Sequence, residues 1–119
     1  MADAILTEIQ KEIAENVILV YGKGTKEAPR CGFTLETIEF FKRLRYEFTI
    51  IDVLENMPKR EALSKMTNWK TLPKIFIGGT FYGDTDVLAP MAQSGELQAK
   101  LADAFGGTRP EQKQTINLR

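Results

Sequence analysis

The single cysteine of this chain is the residue best suited to covalent chemistry. Cys31 lies in the segment KGTKEAPRCGFT, residues 23–34, between an apolar run and the start of an amphipathic pattern. A cysteine at a helix N-terminus lies near the positive end of the backbone dipole, and Arg30 and Lys23 add positive charge that favours the thiolate. A lone cysteine is often a small core residue, but the proline and glycine close to it argue against deep burial. We therefore interpret Cys31 as a thiol that attacks disulfides or binds a metal ion.

The residue types that are absent or rare narrow this chemistry further. The sequence has no histidine and one cysteine. Ser/His and Cys/His triads, histidine metal sites and histidine acid–base catalysis are therefore excluded. Since no internal disulfide can form, a redox cycle needs a second thiol from another molecule. A thiolate metal site likewise needs its other ligands from a second chain or a small molecule.

The composition indicates a single domain whose main partner is neither nucleic acid nor a membrane. The chain has 119 residues, with 16 basic and 16 acidic side chains, so its formal net charge is zero. A neutral chain offers no broad basic field to either kind of partner. No apolar run approaches the ~20 residues of a membrane span, and no signal-peptide pattern opens the sequence. One cysteine fits a reducing intracellular compartment, either the cytoplasm or the mitochondrial matrix after removal of a transit peptide.

Apolar periodicity in the first half of the chain predicts two helices and two strands. Ile5, Ile9 and Ile13 recur at helical spacing, which predicts an N-terminal amphipathic helix over residues 3–15. The continuous apolar run Val17–Tyr21 predicts a strand buried on both faces. The predicted elements that follow are a loop over residues 22–30, a helix over 31–44 and a strand over 48–53. Two strands separated by a helix at this spacing predict a parallel βαβ unit.

The second half of the chain predicts a helix, a β-hairpin and two further helices. Pro58 suits the first position of a helix that ends near residue 67. Strands over residues 74–77 and 80–82 are joined by Gly78-Gly79, because two glycines supply the positive φ angles of a tight hairpin turn. The remaining predicted elements are a helix from the Gly83–Asp86 cap to Ser94, which Pro90 bends or loosens, a helix over residues 96–105, and a mobile polar tail over residues 106–119.

This order of elements predicts an α/β fold. The domain is expected to cover residues 1–105. Its elements follow the order α, β, α, β, α, β, β, α, α, which describes a four-stranded mixed sheet with helices on both faces. This is the thioredoxin-like arrangement with an extra helix at the N-terminus.

Three motifs, in this order, resemble those of the single-domain monothiol glutaredoxins. The motifs are Lys23-Gly24 followed by PRCGFT at residues 29–34, WKTLP at residues 69–73 and GDTD at residues 83–86. The active-site signature of that family reads CGFS, and the resemblance covers about residues 5–103. It implies a glutaredoxin fold, glutathione or a related glutathionyl thiol as ligand, and Cys31 as the reactive thiol.

The resemblance also implies roles for residues around the cysteine. Lys23 is expected to place its ammonium beside the thiol and to bind an anionic carboxylate, with a solvated loop lysine as the alternative. Arg60 is expected to reach the other glutathione carboxylate from the third helix, or to be an ordinary surface arginine. Pro73 is expected to be a cis proline facing the reactive cysteine, so that Thr71 and Leu72 lie at a backbone edge that pairs with an extended thiol peptide. A proline that merely begins a strand is the alternative.

The GDTD motif is expected to bind the γ-glutamyl end of glutathione. Thr85 and Asp86 lie at a predicted helix start, where free backbone N–H groups favour a carboxylate and Asp86 can accept from an ammonium. Plain helix capping is the alternative. Two positions depart from the family pattern, since Thr34 replaces a serine and Asp84-Thr85 replaces Gly-Cys or Gly-Ser. Asp84 adds a negative charge where the ligand's carboxylate is expected, so it bears on glutathione affinity and on the identity of the thiol.

Three functions agree with these residues. The first is an iron–sulfur protein in which Cys31 from each of two protomers and two glutathione sulfurs supply the four thiolates of a [2Fe–2S] cluster. The resemblance implies a homodimer when the cluster is bound, with cluster assembly or transfer to recipient proteins and thiol redox homeostasis as its role. The second is a glutathione-dependent thiol–disulfide oxidoreductase that removes glutathione from proteins, at which CGFS-type members are usually poor. The third is a regulatory interaction module that uses the same surface.

Overall fold

A four-stranded sheet with five helices forms the described part of the protein. The computed structural model describes residues 2–106. The elements in chain order are α1 (Ala2–Glu15), β1 (Ile18–Gly22), α2 (Gly32–Leu44), β2 (Thr49–Asp52), α3 (Met57–Thr67), β3 (Lys74–Ile77), β4 (Thr80–Gly83), α4 (Thr85–Ser94) and α5 (Glu96–Ala104). Apart from Gly106, the predicted mobile tail lies outside the described residues, so the tail and the domain boundary at residue 105 stay predictions.

The sheet has the mixed topology that the element order predicts. Its strand order is β2-β1-β3-β4, with β1 parallel to β2 and antiparallel to β3. The hairpin between β3 and β4 turns at Gly78 and Gly79, whose φ angles are 57° and 84°. Both values lie in the left-handed region that glycine tolerates best, which confirms the predicted glycine turn.

Strand β1 lies at the centre of the sheet and divides the core into two clusters. All five of its residues are buried. Ile18 and Val20 contact side chains of α2, α4 and α5 on one face, whereas Leu19 and Tyr21 contact side chains of α1 and α3 on the other. Successive residues of a strand point to opposite faces, so a strand that is apolar throughout is buried from both sides. The prediction of helices on both faces is therefore confirmed.

The additional helix α1 is attached to α3 by a partly buried charge network as well as by apolar contacts. The Lys59 ammonium lies 2.7 Å from a carboxylate oxygen of Glu8 and 2.7 Å from one of Glu12. The Tyr21 hydroxyl donates to the other oxygen of Glu12 at 2.7 Å. Burial disfavours the charge of Lys59, but the two carboxylates outweigh it and raise the pKa of this lysine.

Some boundaries differ from the sequence prediction, and strand β1 begins one residue later than predicted, at Ile18. Strand β2 begins at Thr49, so Phe48 is buried without belonging to it. Helix α3 begins at Met57 rather than at Pro58, because Asn56 caps it by accepting from the Lys59 N–H at 3.2 Å. Helix α4 continues through Pro90 and ends at Ser94, as predicted.

Candidate functional site

Cys31 caps the N-terminus of α2. Its backbone is extended, with φ −158° and ψ 158°, and its Sγ accepts from the Thr34 N–H at 3.4 Å. The Thr34 hydroxyl lies 3.3 Å from the same sulfur. The sequence placed the cysteine at the start of this helix, and the structure makes it the residue just before the first helical turn. The sulfur therefore lies where the free N–H groups of that turn point.

The surroundings of Cys31 favour its thiolate. Burial raises the thiol pKa, but hydrogen bonds from Thr34 and from the Phe33 N–H, together with the charge of Lys23, outweigh burial and lower the pKa below its ordinary value. The contribution expected from Arg30 is not found among these causes. Arg30 is exposed, and its charge instead acts on Asp52. Lys23 is therefore the cation that supports the thiolate.

Thr34 joins the cysteine to the loop that precedes it. It is fully buried, and its hydroxyl accepts from the Lys23 N–H at 3.1 Å while contacting the Cys31 sulfur. Its methyl group faces Gly22, where an added Cβ would lie 3.1 Å from Thr34 Cγ2. The methyl group that distinguishes Thr34 from the family's serine thus packs against the end of β1. The hydroxyl is therefore the part of Thr34 that acts on the thiol.

The loop between β1 and α2 is held by backbone contacts that only glycine permits. Gly24 has φ 91°, and a Cβ at this position would lie 2.4 Å from the carbonyl oxygen of Ala28. The Gly24 N–H donates to the Asp52 carboxylate at 2.9 Å, and the Arg30 N–H donates to the carbonyl of Lys23 at 2.8 Å. This folded loop fixes the position of Lys23 relative to the helix that begins after Cys31.

The other predicted site residues line a groove of about 400 Å³. Its lining includes all seven of them: Lys23, Arg60, Thr71, Leu72, Pro73, Thr85 and Asp86. Phe33, Glu36, Lys70 and Asp84 complete the lining. Phe33 is 67% exposed beside the cysteine, and an added side chain at Gly32 would contact nothing within 4 Å. Cys31 itself is half-buried and lies next to this lining, between Lys23 and Phe33 in the chain.

The groove carries charges of both signs. Cationic groups come from Lys23, Arg60 and Lys70, and carboxylates come from residues at and near the start of α4. The Arg60 guanidinium donates to the carbonyl of Leu54 at 2.9 Å, which fixes it at the edge of α3. A ligand with both ammonium and carboxylate groups is complementary to such a lining.

The carboxylate of Asp84 caps helix α4. It accepts a hydrogen bond from the Asp86 N–H at 3.0 Å. That N–H is one of the backbone donors that the sequence analysis expected to bind the ligand's carboxylate. The Thr85 hydroxyl donates to Glu36 at 2.8 Å. Helix capping by Asp84, the alternative given for this motif, is therefore found at this end of the groove. Glu36 and Lys70 were missed by the sequence analysis: Lys70 lies within the WKTLP motif, whereas nothing in the sequence links Glu36 on α2 to α4.

The segment before β3 forms one edge of the groove. The Leu72–Pro73 peptide bond is cis, as expected. Within residues 2–106, the N–H and C=O of Leu72 have no hydrogen-bond partner. The side chain of Lys74 donates to the carbonyls of Trp69 and Thr71, the latter at 2.8 Å. These bonds fix the segment while leaving the Leu72 backbone available for an extended chain.

Metal and membrane features are absent from the described residues. Between residues 2 and 106, no three or more Cys, Asp or Glu side chains come together in a way that could hold a metal ion. No helix in the same range combines the length and apolar character needed to cross a membrane.

Comparisons with known proteins identify the family of this chain. The glutaredoxin family profile matches residues 18–82. Glutaredoxin 4 of Pasteurella multocida is 38% identical over 82% of this chain and 90% of its own length. The solution structure of reduced apo GrxS14 from poplar is 33% identical, with a TM-score of 0.78 over 88% of this chain and 98% of that one. A buckwheat glutaredoxin–glutathione complex, at 23% identity and a TM-score of 0.78, covers 87% of this chain and 92% of that chain and shares its fold.

The fold and the site define a thioredoxin-like protein with a single cysteine at the N-terminus of its second helix. Its similarity to single-domain relatives extends over most of the chain. The chain belongs to the glutaredoxin family and is of the monothiol type.

Proposed function

We propose that this protein binds glutathione in the groove and, as a dimer, holds a [2Fe–2S] cluster for assembly or transfer to recipient proteins. The observation that carries this proposal is the lone Cys31, a thiol with lowered pKa at the N-terminus of α2 beside a groove of mixed charge. Glutathione has two carboxylates and one ammonium. Lys23 and Arg60 suit the carboxylates, and Asp86 suits the ammonium.

One chain together with one bound glutathione supplies half of the donors that such a cluster needs. Four thiolates are required, and the sequence supplies one. Cys31 of two protomers and the sulfurs of two glutathione molecules complete the set, with glutathione held by Lys23, Arg60, the Thr71–Pro73 edge and the start of α4. The bound cluster would itself be the group that is passed to a recipient protein. The chain's own residues lower the pKa of Cys31, which favours its thiolate, and orient the glutathione sulfur beside it.

The test is anaerobic reconstitution with iron, sulfide and glutathione, followed by visible absorbance and size-exclusion chromatography. We expect a coloured dimer with glutathione and a colourless monomer without it. Cys31→Ser is the matched control, because it changes one atom and keeps the helix cap. Wild-type protein that stays colourless with glutathione, or Cys31→Ser protein that keeps the visible absorption, would refute the proposal.

The lowered pKa of Cys31 favours a second function, glutathione-dependent removal of glutathione from proteins. The Cys31 thiolate attacks the glutathione sulfur of a mixed disulfide, and the protein thiol leaves as a thiolate. A second glutathione thiolate then attacks the Cys31–glutathione disulfide, which releases oxidised glutathione and restores the Cys31 thiolate. Turnover of a glutathionylated peptide by colourless monomer would favour this function over cluster transfer. The cytoplasm and the mitochondrial matrix both provide the glutathione that either function needs.

A further inference from the structure

A second cavity, with four cationic side chains among its eight lining residues, adjoins the groove. It measures about 340 Å³, and its charged lining is one carboxylate and four cations, namely Glu61, Arg60, Lys65, Lys70 and Lys74. We call it the basic cavity. Arg60, Lys70 and Leu72 line both the basic cavity and the groove, so the two spaces share a wall.

The positive charges of the basic cavity are not neutralised by ion pairs. Within residues 2–106, none of its four cations pairs with a carboxylate, whereas the buried Lys59 on the other side of α3 has two such partners. Like charges gathered around one small space repel each other and raise the local positive potential. Such a space attracts an anion.

Lys74 distinguishes the basic cavity from a chance group of surface lysines. Its side chain is 1% exposed, yet its ammonium is bonded to the carbonyls of Trp69 and Thr71 rather than to a carboxylate. Burial, and then the charge of Arg60, lower the pKa of Lys74 to about 8. A fully buried lysine without an acidic partner is rare in proteins. An anion in the basic cavity would supply the missing opposite charge.

We propose that the basic cavity holds acidic side chains of a polypeptide whose cysteine is bound at Cys31. This inference rests on the proposed function, since it takes the groove to be where the thiol ligand lies. The free N–H and C=O of Leu72 can pair with an extended chain at the boundary between groove and cavity. An extended chain advances ~3.3 Å per residue, so acidic residues a few positions from the cysteine reach the cavity.

The experiment is a thiol–disulfide exchange between two ligands of the same cysteine. Protein carrying a Cys31–glutathione disulfide is mixed with a peptide thiol, which forms the Cys31–peptide disulfide and releases glutathione. One disulfide breaks and one forms, and the thiol proton passes from peptide to glutathione, so no outside oxidant is needed. Three ten-residue peptides carry one cysteine flanked on both sides by two Glu, two Gln or two Lys. Mass spectrometry of the products gives each equilibrium constant.

We expect the Glu peptide to be preferred over the Lys peptide about tenfold at low salt, with the preference falling several-fold in 0.5 M NaCl. Lys65→Glu reverses a charge in the basic cavity without altering the groove, and should lower the preference about three- to fivefold. Lys42→Glu is the matched control, because Lys42 and Lys65 both lie in the last turn of a helix and both are exposed. It should leave the preference unchanged.

Equal constants for the Glu and Lys peptides in wild type would overturn the basic-cavity proposal, and so would equal effects of Lys65→Glu and Lys42→Glu. Wild-type protein that forms no Cys31–glutathione disulfide would overturn the proposed glutathione binding, and this inference with it. The two failures are distinguished because the glutathione adduct is prepared before any peptide is added.

Discussion

Replacing Thr34 by valine should raise the pKa of Cys31 and slow its reactions. The Lys23 N–H donates to the Thr34 hydroxyl, which in turn can donate to the sulfur at 3.3 Å, so the two hydrogen bonds strengthen each other. A hydrogen bond to an ionised group contributes about 1.5–3 kcal/mol. Valine keeps the shape of threonine and removes this donor, so the main change is electrostatic rather than steric.

The lower end of this range corresponds to about a tenfold smaller thiolate population below the thiol pKa. A thiolate of higher pKa is intrinsically more nucleophilic, which offsets about threefold of that loss. We therefore expect iodoacetamide alkylation at pH 6 to slow about three- to fivefold. The assay is the alkylation rate from pH 4 to 10, together with thiolate absorbance near ~240 nm. Thr34→Ser, which keeps the hydroxyl, should follow the wild-type profile. A Thr34→Val profile that coincides with wild type would show that the hydroxyl does not stabilise the thiolate.

The same substitution has a pH-dependent effect on stability. Because the folded pKa of Cys31 is depressed, the thiolate contributes stability above the unfolded thiol pKa of about 8.5 and loses it as pH falls through the folded value. The difference in unfolding free energy between wild type and Thr34→Val should therefore be larger at pH 9 than at pH 5. A constant part of about 1–2 kcal/mol should remain at both pH values, because the Lys23 N–H loses its acceptor.

Three further predictions concern charged residues. Lys23→Ala should raise the pKa of the Cys31 thiol and weaken glutathione binding in calorimetric titration, because it removes the cation that acts on the sulfur. An unchanged alkylation rate and an unchanged affinity would show that Lys23 is a solvated loop residue. Asp84→Asn should bind glutathione about two- to fivefold more tightly at an unchanged melting temperature, because the amide keeps the helix cap and removes the negative charge. Weaker binding by this variant would contradict the argument that Asp84 repels the ligand's carboxylate. Lys59→Met should lower the free energy of unfolding in urea by about 1–3 kcal/mol, whereas Lys11→Met on the exposed side of α1 should change it little; equal effects would argue against the network.

Local sequence signals located the site because its parts lie at the ends of elements. A proline, a cysteine and a glycine at the transition from loop to helix placed Cys31, and the paired glycines at positions 78 and 79 placed the hairpin. The predicted ends of β2 were less accurate, because hydrogen bonding with β1 decides where the strand begins. An apolar residue such as Phe48 can be buried next to the strand without belonging to it. A prediction based on burial alone therefore makes this strand too long.

Contacts between distant parts of the chain could not be predicted. Lys74 begins an apolar strand, and its charge suggests an exposed position, yet the carbonyls of the preceding segment allow it to be buried. The bond between Thr85 and Glu36 joins residues 49 positions apart and leaves no mark in either local pattern. These contacts depend on how the helices pack, which spacing along one element does not reveal.

The charge network on α1 links the N-terminal helix to the wall of the groove. Lys59 and Arg60 are consecutive residues of α3, and consecutive helical side chains point about 100° apart. Lys59 points to the carboxylates of α1, while Arg60 lines the groove. The rotation of α3 about its axis is thus set by contacts on a face about 100° away from the groove. A substitution at Glu8 or Glu12, on a different helix, is therefore a means of adjusting how Arg60 faces the groove.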